Sequence, residues 1–441
     1  MDPEYLLVLA MFIALMVAIF SGFPLPFALM GTGLIFGLIG WGPGVFPQIV
    51  IRSLSIMTND VLVAVPLFTF MGYMLERSGV ADGLFASMQQ IFASLRGSLA
   101  LVTILVGTLL AATTGIAGAS MAVLGILALN PMLTRGYDKP LATGSVIAGA
   151  TLGQLIPPSL LMVVYAPAAG LSVVRMFSGG IFPGLLLSGL FVLYIGIRCY
   201  LRPELGPALP LEERQKILSL KVLKALLLGL APPLLLILSV LGTILFGLAT
   251  PTEAAATGGF FTVLICIALR KFNWQILKDV VYRTISTSSM IMMIILGASI
   301  FTGVFWALGG NQAVEALFAL LDLTPTGTII AVMVILFLLG KILDTIAIIM
   351  ITVPIINPLI IELGIDPLWF GMLVMVNLQI AYLTPPFAYG IFYLKALNPP
   401  GVTLGHIYRG VIPFILLQIV ALILCIIFPE IVLWLPEFLY D

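Results

Sequence analysis

The stretch GQLIPPSLLMVVYA, Gly153–Ala166, lies inside an apolar run long enough to cross a bilayer, yet two adjacent prolines interrupt it. Proline removes a backbone donor and collides with the preceding turn, so Pro157-Pro158 breaks a helix where no water is present to solvate the freed carbonyls. A second interruption stands at AYLTPPFAYGIFYL, Ala381–Leu394, around Pro385-Pro386. The surrounding composition makes hydrocarbon the relevant solvent. The 441 residues are 61% hydrophobic and 9% charged, with mean hydropathy +1.22. Soluble domains carry about 25% charged residues, so a soluble globular protein is excluded. At roughly 20 residues per crossing, the chain holds about ten to twelve membrane elements. A transmembrane barrel is excluded because no alternating-strand pattern appears. The expected fold is an all-α polytopic membrane protein.

The two breaks belong to a longer correspondence. NPMLTRGYDKPL at Asn130 matches NPLIIELGIDPL at Asn357, and 19 residues separate Asp138 from Pro157 as they separate Asp366 from Pro385. GGIFPG at Gly179 resembles RGVIPF at Arg409, while Pro24 and Gly31 pair with Pro251 and Gly258 at an offset of 227. An ordered series at nearly constant offset marks a duplicated fold. The expected units are a first repeat over 1–200 with a re-entrant hairpin near 98–135, a connecting loop over 201–224 and a second repeat over 225–441 with a hairpin near 325–362. Each repeat then has five transmembrane helices, one broken at Pro-Pro, and the odd number inverts the second. With both termini periplasmic, every lysine and arginine falls on the cytoplasmic side except Arg52, Arg175 and Lys341, which favours inversion over a parallel arrangement.

Broken helices at matching points of an inverted repeat place a binding site near the bilayer midplane. Freed carbonyls are expected around Gly153, Gln154, Ala381 and Thr384. The first hairpin turns at AATTGIAGAS, Ala111–Ser120, whose small and hydroxyl residues offer oxygens to a dehydrated cation. The second turns near LLGKILDTIAI, Leu338–Ile348, and carries Lys341 and Asp344 at helical spacing. Intramembrane charges face a cavity or each other, so these two either serve the site or pair together. Leu84–Arg96 reads as an amphipathic interfacial helix, Gly33 and Gly37 as helix packing, His406 as a surface residue in a short connection, and Glu253 as a complement to a helix N-terminus. The three cysteines form neither a disulfide frame nor a metal site, and the first apolar run reads as a retained helix.

RGYDKPLATGSVIAGATLGQLIPPS from Arg135, LGKILDTIAIIMITVPIINP from Leu339 and PLFTFMGYMLERSGV from Pro66 resemble the large membrane subunit of TRAP (tripartite ATP-independent periplasmic) transporters. The likeness covers nearly the whole chain. It implies an elevator-type secondary transporter of the bacterial inner membrane that imports a small organic acid with sodium as coupling ion. It also implies two partners, a small membrane subunit on a separate chain and a soluble periplasmic substrate-binding protein. Carried over by position, one sodium site falls among Gly115, Gly118, Ser120 and Gly153, the other among Gly340, Asp344, Thr345 and Thr384. Substrate lies between, near Ser120, Ser159, Thr384 and Pro385. Lys341 departs from the apolar residue usual there. The competing readings are a proton-coupled organic anion transporter without a binding protein, an ion channel and an intramembrane enzyme. No filter motif, HExxH or GxSxG is present, and no nucleotide-binding loop supplies ATP energy.

Overall fold

The computed structural model describes residues 3–115, 117–210, 212, 220–385, 388–397 and 399–440. Every regular element among them is helical, and eight helices are long and apolar enough to span a membrane. This is a multi-pass membrane protein. Its exposed surface carries side chains such as Leu6, Ile39, Leu235 and Ile423, which only lipid solvates well.

Pro3–Phe20, Leu25–Trp41 and Ala64–Ser78 come first, followed by a hairpin of Ser98–Thr114 and Ala117–Leu124, the latter running on to Thr134. A broken helix follows, Lys139–Thr151 and Leu160–Ala169, and then Val173–Leu201. The order recurs. A helix from Leu220 to Leu245, then Pro251–Ala268 and Trp274–Ala307, precede a hairpin of Pro325–Leu339 and Thr345–Glu362. The second broken helix is Pro367–Leu383 and Tyr389–Ala396, and Leu404–Ile427 completes the set.

Matching sequence makes matching joints. Both hairpins end in a G-x-D triplet, and Gly136 and Gly364 adopt φ of 75° and 69°. The next amide closes each turn, from Tyr137 to the Met132 carbonyl and from Ile365 to the Ile360 carbonyl, the bond pattern of a left-handed helix stop. Two residues beyond each glycine an aspartate caps the broken helix, Asp138 accepting from Leu141 N at 3.1 Å and Asp366 from Trp369 N at 2.8 Å.

Packing between the halves is reciprocal. Ala64–Ser78 lies on Pro251–Ala268, and Trp274–Ala307 on Leu25–Trp41. Lys139–Thr151 packs on Leu404–Ile427, and Pro367–Leu383 on Val173–Leu201. The second arm of each hairpin meets the far half of the other repeat's broken helix. Small residues permit these approaches, as lipid supplies no hydrophobic drive between helices. Gly33 and Gly37 lie against Ile300, Val45 and Val304, where added methyl groups would crowd.

Several boundaries differ from the sequence reading. The interfacial helix spans Val80–Ile91 and gives way to turns before Arg96, so it begins and ends earlier than Leu84–Arg96. Two further amphipathic helices, Val45–Met57 and Gly310–Leu321, lie in segments too polar to register as apolar runs. The last run is two helices: Phe428 precedes Pro429, which forces it off helical geometry, and Glu430–Tyr440 starts anew. His406 sits in the first turn of its helix, where its ring nitrogen completes a capping box with Thr403. Glu253 caps in the same way with Thr250.

Candidate ion and substrate site

The tip of the first hairpin rests on the first break. Gly115 has φ 62°, and a Cβ there would lie 2.6 Å from the Pro158 carbonyl oxygen. Its own carbonyl faces the Leu160 amide at 3.5 Å. The Thr114 and Ser120 hydroxyls meet across the tip at 3.0 Å. The turn Leu152–Gln154 packs against both hairpin arms. Ser159 donates to the Gln154 carbonyl at 2.5 Å, and Gln154 Oε1 is buried with no hydrogen-bond partner. Gly115, Ser120, Gly153 and Ser159 therefore converge on one knot of backbone and hydroxyl oxygens, while a Cβ on Gly118 would lie 3.6 Å from the Tyr393 ring.

The second hairpin makes a different joint with the second break. Gly340 has no room for a side chain because Ala381 Cβ occupies that space. Lys341 Nζ donates to the Thr384 carbonyl at 3.3 Å and sits 3.9 Å from the centroid of Phe337. Asp344 caps the second arm, accepting from Ile346 N at 3.0 Å, and Thr345 is buried beside it. Thr384 donates its hydroxyl to the Ile380 carbonyl at 2.7 Å. Gly340, Asp344, Thr345 and Thr384 thus gather at one joint. Lys341 and Asp344 do not form an ion pair. Residues 340–344 are a turn with Asp344 extended, so helical spacing does not apply and the two side chains diverge. Pro385 lies exposed in the following turn, and Pro386 is outside the described residues.

A cavity of about 620 Å³ opens beside these joints. Its polar lining is Asp344, Tyr382, Tyr389, Tyr393 and Ser289, with Pro24–Phe27, Met290, Met293 and Ile294 closing the apolar side. Tyr382 and Tyr389 stack at 5.8 Å. Ser120 and Ser159 do not line it; Tyr393 stands between the first hairpin and the cavity.

Gln379 joins the two halves, donating from Nε2 to the Thr151 carbonyl at 2.6 Å. These positions are 228 apart, the offset that relates Asp138 to Asp366, so equivalent points of the two broken helices touch. Gln379, Asn377 and the three tyrosines were absent from the sequence-based site. VNLQIAY, with two amides in an apolar run, carried the signal for the first two.

Residues 12–431 match the family model described as the DctM component of the tripartite ATP-independent periplasmic transporter. The chain belongs to the DctM family. It is 33% identical over 395 residues to the C4-dicarboxylate TRAP transporter large permease protein DctM of Pseudomonas aeruginosa, covering 88% of this chain and 90% of that one. It is 27% identical over 423 residues to the sialic acid TRAP transporter large permease protein SiaM of Vibrio cholerae, covering 95% and 96%. The Alcanivorax borkumensis YdaH transporter shares the fold, with a TM-score of 0.68 at 16% identity over 98% of this chain and 99% of that one. The chain is a secondary transporter permease of the inner membrane and not an enzyme.

Proposed function

We propose that this permease imports a small organic acid with sodium as coupling ion. In that reading a periplasmic binding protein delivers the acid, and a separate small membrane subunit completes the assembly. The observation that carries it is the pair of broken helices, each capped by a hairpin turn at an equivalent position. Such joints expose unsatisfied carbonyls to ligands in the membrane.

The first joint suits a bare cation. Around Gly115, Ser120 and Gly153 the available donors are oxygens, and Gln154 Oε1 is a buried oxygen still without a partner. Gly118 supplies backbone one turn further on. Sodium there would tie the hairpin to the break and so favour a closed site. The second joint gathers Gly340, Asp344, Thr345 and Thr384, with the Lys341 ammonium already on the Thr384 carbonyl.

The cavity supports cation coupling through its charge. With Asp344 ionised, an organic anion entering beside it meets a carboxylate. Like charges about 5 Å apart repel by roughly 3 kcal/mol at an effective dielectric of 20, about a hundredfold in affinity. Accompanying positive charge offsets that repulsion, and each cation moving down about 100 mV contributes about 2.3 kcal/mol. Stacked tyrosine rings and hydroxyls provide an apolar wall and polar tips for the acid. C4-dicarboxylate and sialic acid in the relatives' names support the substrate class.

The inverted repeat, the periplasmic termini and an elevator movement of hairpins and broken helices complete the proposal. The reciprocal packing supports the first of these.

The test compares the melting temperature of the purified permease in NaCl and KCl at equal ionic strength, followed by sodium-driven uptake in proteoliposomes with both partner chains. A saturable sodium-specific rise is expected, since a ligand that binds only the folded state stabilises it by mass action. Equal melting in both salts, with uptake that follows a proton gradient, refutes sodium coupling.

A further inference from the structure

Resting on the sodium reading above, we infer that the Lys341 ammonium takes the place of the coupling ion at the second joint, so that this chain carries one of its two cations as a side chain.

Thr384 ends the helix Pro367–Leu383, and its carbonyl lies at that helix's negative pole. Terminal carbonyls without intrahelical partners attract cations. Lys341 Nζ fills that role, donating at 3.3 Å across 43 residues from the hairpin turn to the break. The Phe337 ring, 3.9 Å from Nζ, holds the ammonium from the other side. The side chain therefore already makes the bridge between hairpin and broken helix that a bound ion would make. A sodium on the same carbonyl would stand beside an ammonium in a low-dielectric setting, where like charges repel strongly. The second joint does not suit a free sodium while Lys341 is there.

The repeat sharpens the contrast. The offset of 227 that aligns Asn130 with Asn357 also aligns Thr114 with Lys341. Thr114 is a neutral hydroxyl at the tip of the first hairpin, 3.0 Å from Ser120. The first joint presents oxygens at this position and the second presents a fixed cation. Lys341 and Asp344 also leave each other unpaired, so the carboxylate stays on the cavity wall while the ammonium stays on the carbonyl.

Radioactive sodium binding to the purified full-length chain in nanodiscs counts ions directly, without transport. Wild type is expected to bind one sodium per chain with a Hill coefficient near one. Lys341→Met keeps an unbranched side chain one atom shorter and removes the charge; it is expected to bind two. Lys341→Arg keeps the cation and should still bind one. Two sodium ions on the wild type, or equal counts in wild type and Lys341→Met, overturn the inference and leave sodium coupling intact. No sodium on any of the three overturns the coupling reading itself. If Lys341→Met does not fold, the wild-type and arginine counts still decide, because two ions on either refutes the substitution of lysine for sodium.

Discussion

Gly115→Ala, compared with Gly136→Ala, separates backbone strain from the contact that builds the proposed sodium site at the first joint. Both glycines are left-handed, with φ of 62° and 75°. A left-handed alanine costs about 1–2 kcal/mol at either position. Their surroundings differ. A Cβ on Gly136 meets nothing within 4 Å, whereas one on Gly115 lies 2.6 Å from the backbone oxygen of Pro158. Relief to an ordinary contact requires the hairpin tip to retreat by roughly 0.8 Å, because carbon and oxygen cannot interpenetrate. The Leu160 amide is already 3.5 Å from the Gly115 carbonyl, so that retreat disconnects the tip from the break. Sodium affinity in Gly115→Ala is expected to fall at least tenfold, about 1.4 kcal/mol, while Gly136→Ala keeps wild-type affinity. Sodium titrations of melting temperature on both purified variants measure this. Similar melting losses with unchanged sodium affinity in both would refute the argument that this contact builds the site.

Three further outcomes are expected. Asp344→Asn keeps a residue that caps as well as aspartate, so stability should change by less than about 0.5 kcal/mol while proteoliposome uptake falls more than tenfold; wild-type uptake would remove Asp344 from the site. Asp138→Ala and Asp366→Ala delete caps at equivalent joints and should each cost about 1 kcal/mol in denaturant unfolding, so a clearly unequal loss argues against equivalent roles. Gln379→Leu strips the Thr151 carbonyl of its donor and should cost about 0.6–2 kcal/mol; an unaltered melting temperature would show the bond between the broken helices to be dispensable.

The elements that broke a rule of membrane helices were the ones open to sequence reading. Pro157 in an apolar run, the G-x-D triplets before Lys139 and Pro367, and the constant offset between them are local features with local consequences, and the joints form where those features stand. Amphipathic segments such as Val45–Met57 were hidden because their apolar residues cover only one face. Side-chain direction was hidden as well. Lys341 and Asp344 sit three apart, and nothing in that spacing says that Gly340 ends a helix and turns the two away from each other. The tyrosines of the cavity come from both sides of the second break, so only the turn between them brings Tyr382 onto Tyr389. Asn377 and Gln379 could have been singled out, as buried amides in hydrocarbon need partners.

The bond from Gln379 to Thr151 bears on how the two joints move. Two repeats related by a two-fold axis bring equivalent residues together only near that axis, and positions 151 and 379 correspond at the offset of 228. On the proposed inverted repeat, that axis runs between the broken helices, inside the group of segments that also holds both hairpins. Helices Lys139–Thr151 and Pro367–Leu383 are tied there by a buried amide. Each is also packed on the other half's last long helix. Moving one joint without the other would expose the Thr151 carbonyl and the Gln379 amide to hydrocarbon, at a cost of roughly 1–3 kcal/mol for each group left unpaired. Displacement of both joints together leaves that bond intact and instead shears the contacts that Ala64–Ser78 and Trp274–Ala307 make with the hairpins. Those contacts rest on apolar packing and small residues such as Gly72, which faces the Thr114 carbonyl at the first tip. Sliding along such a surface exchanges one apolar contact for another, whereas separating the joints strands polar groups. On the proposed transport reading, this difference makes the hairpins and broken helices one moving body and carries both joints across the membrane with the cavity beside them.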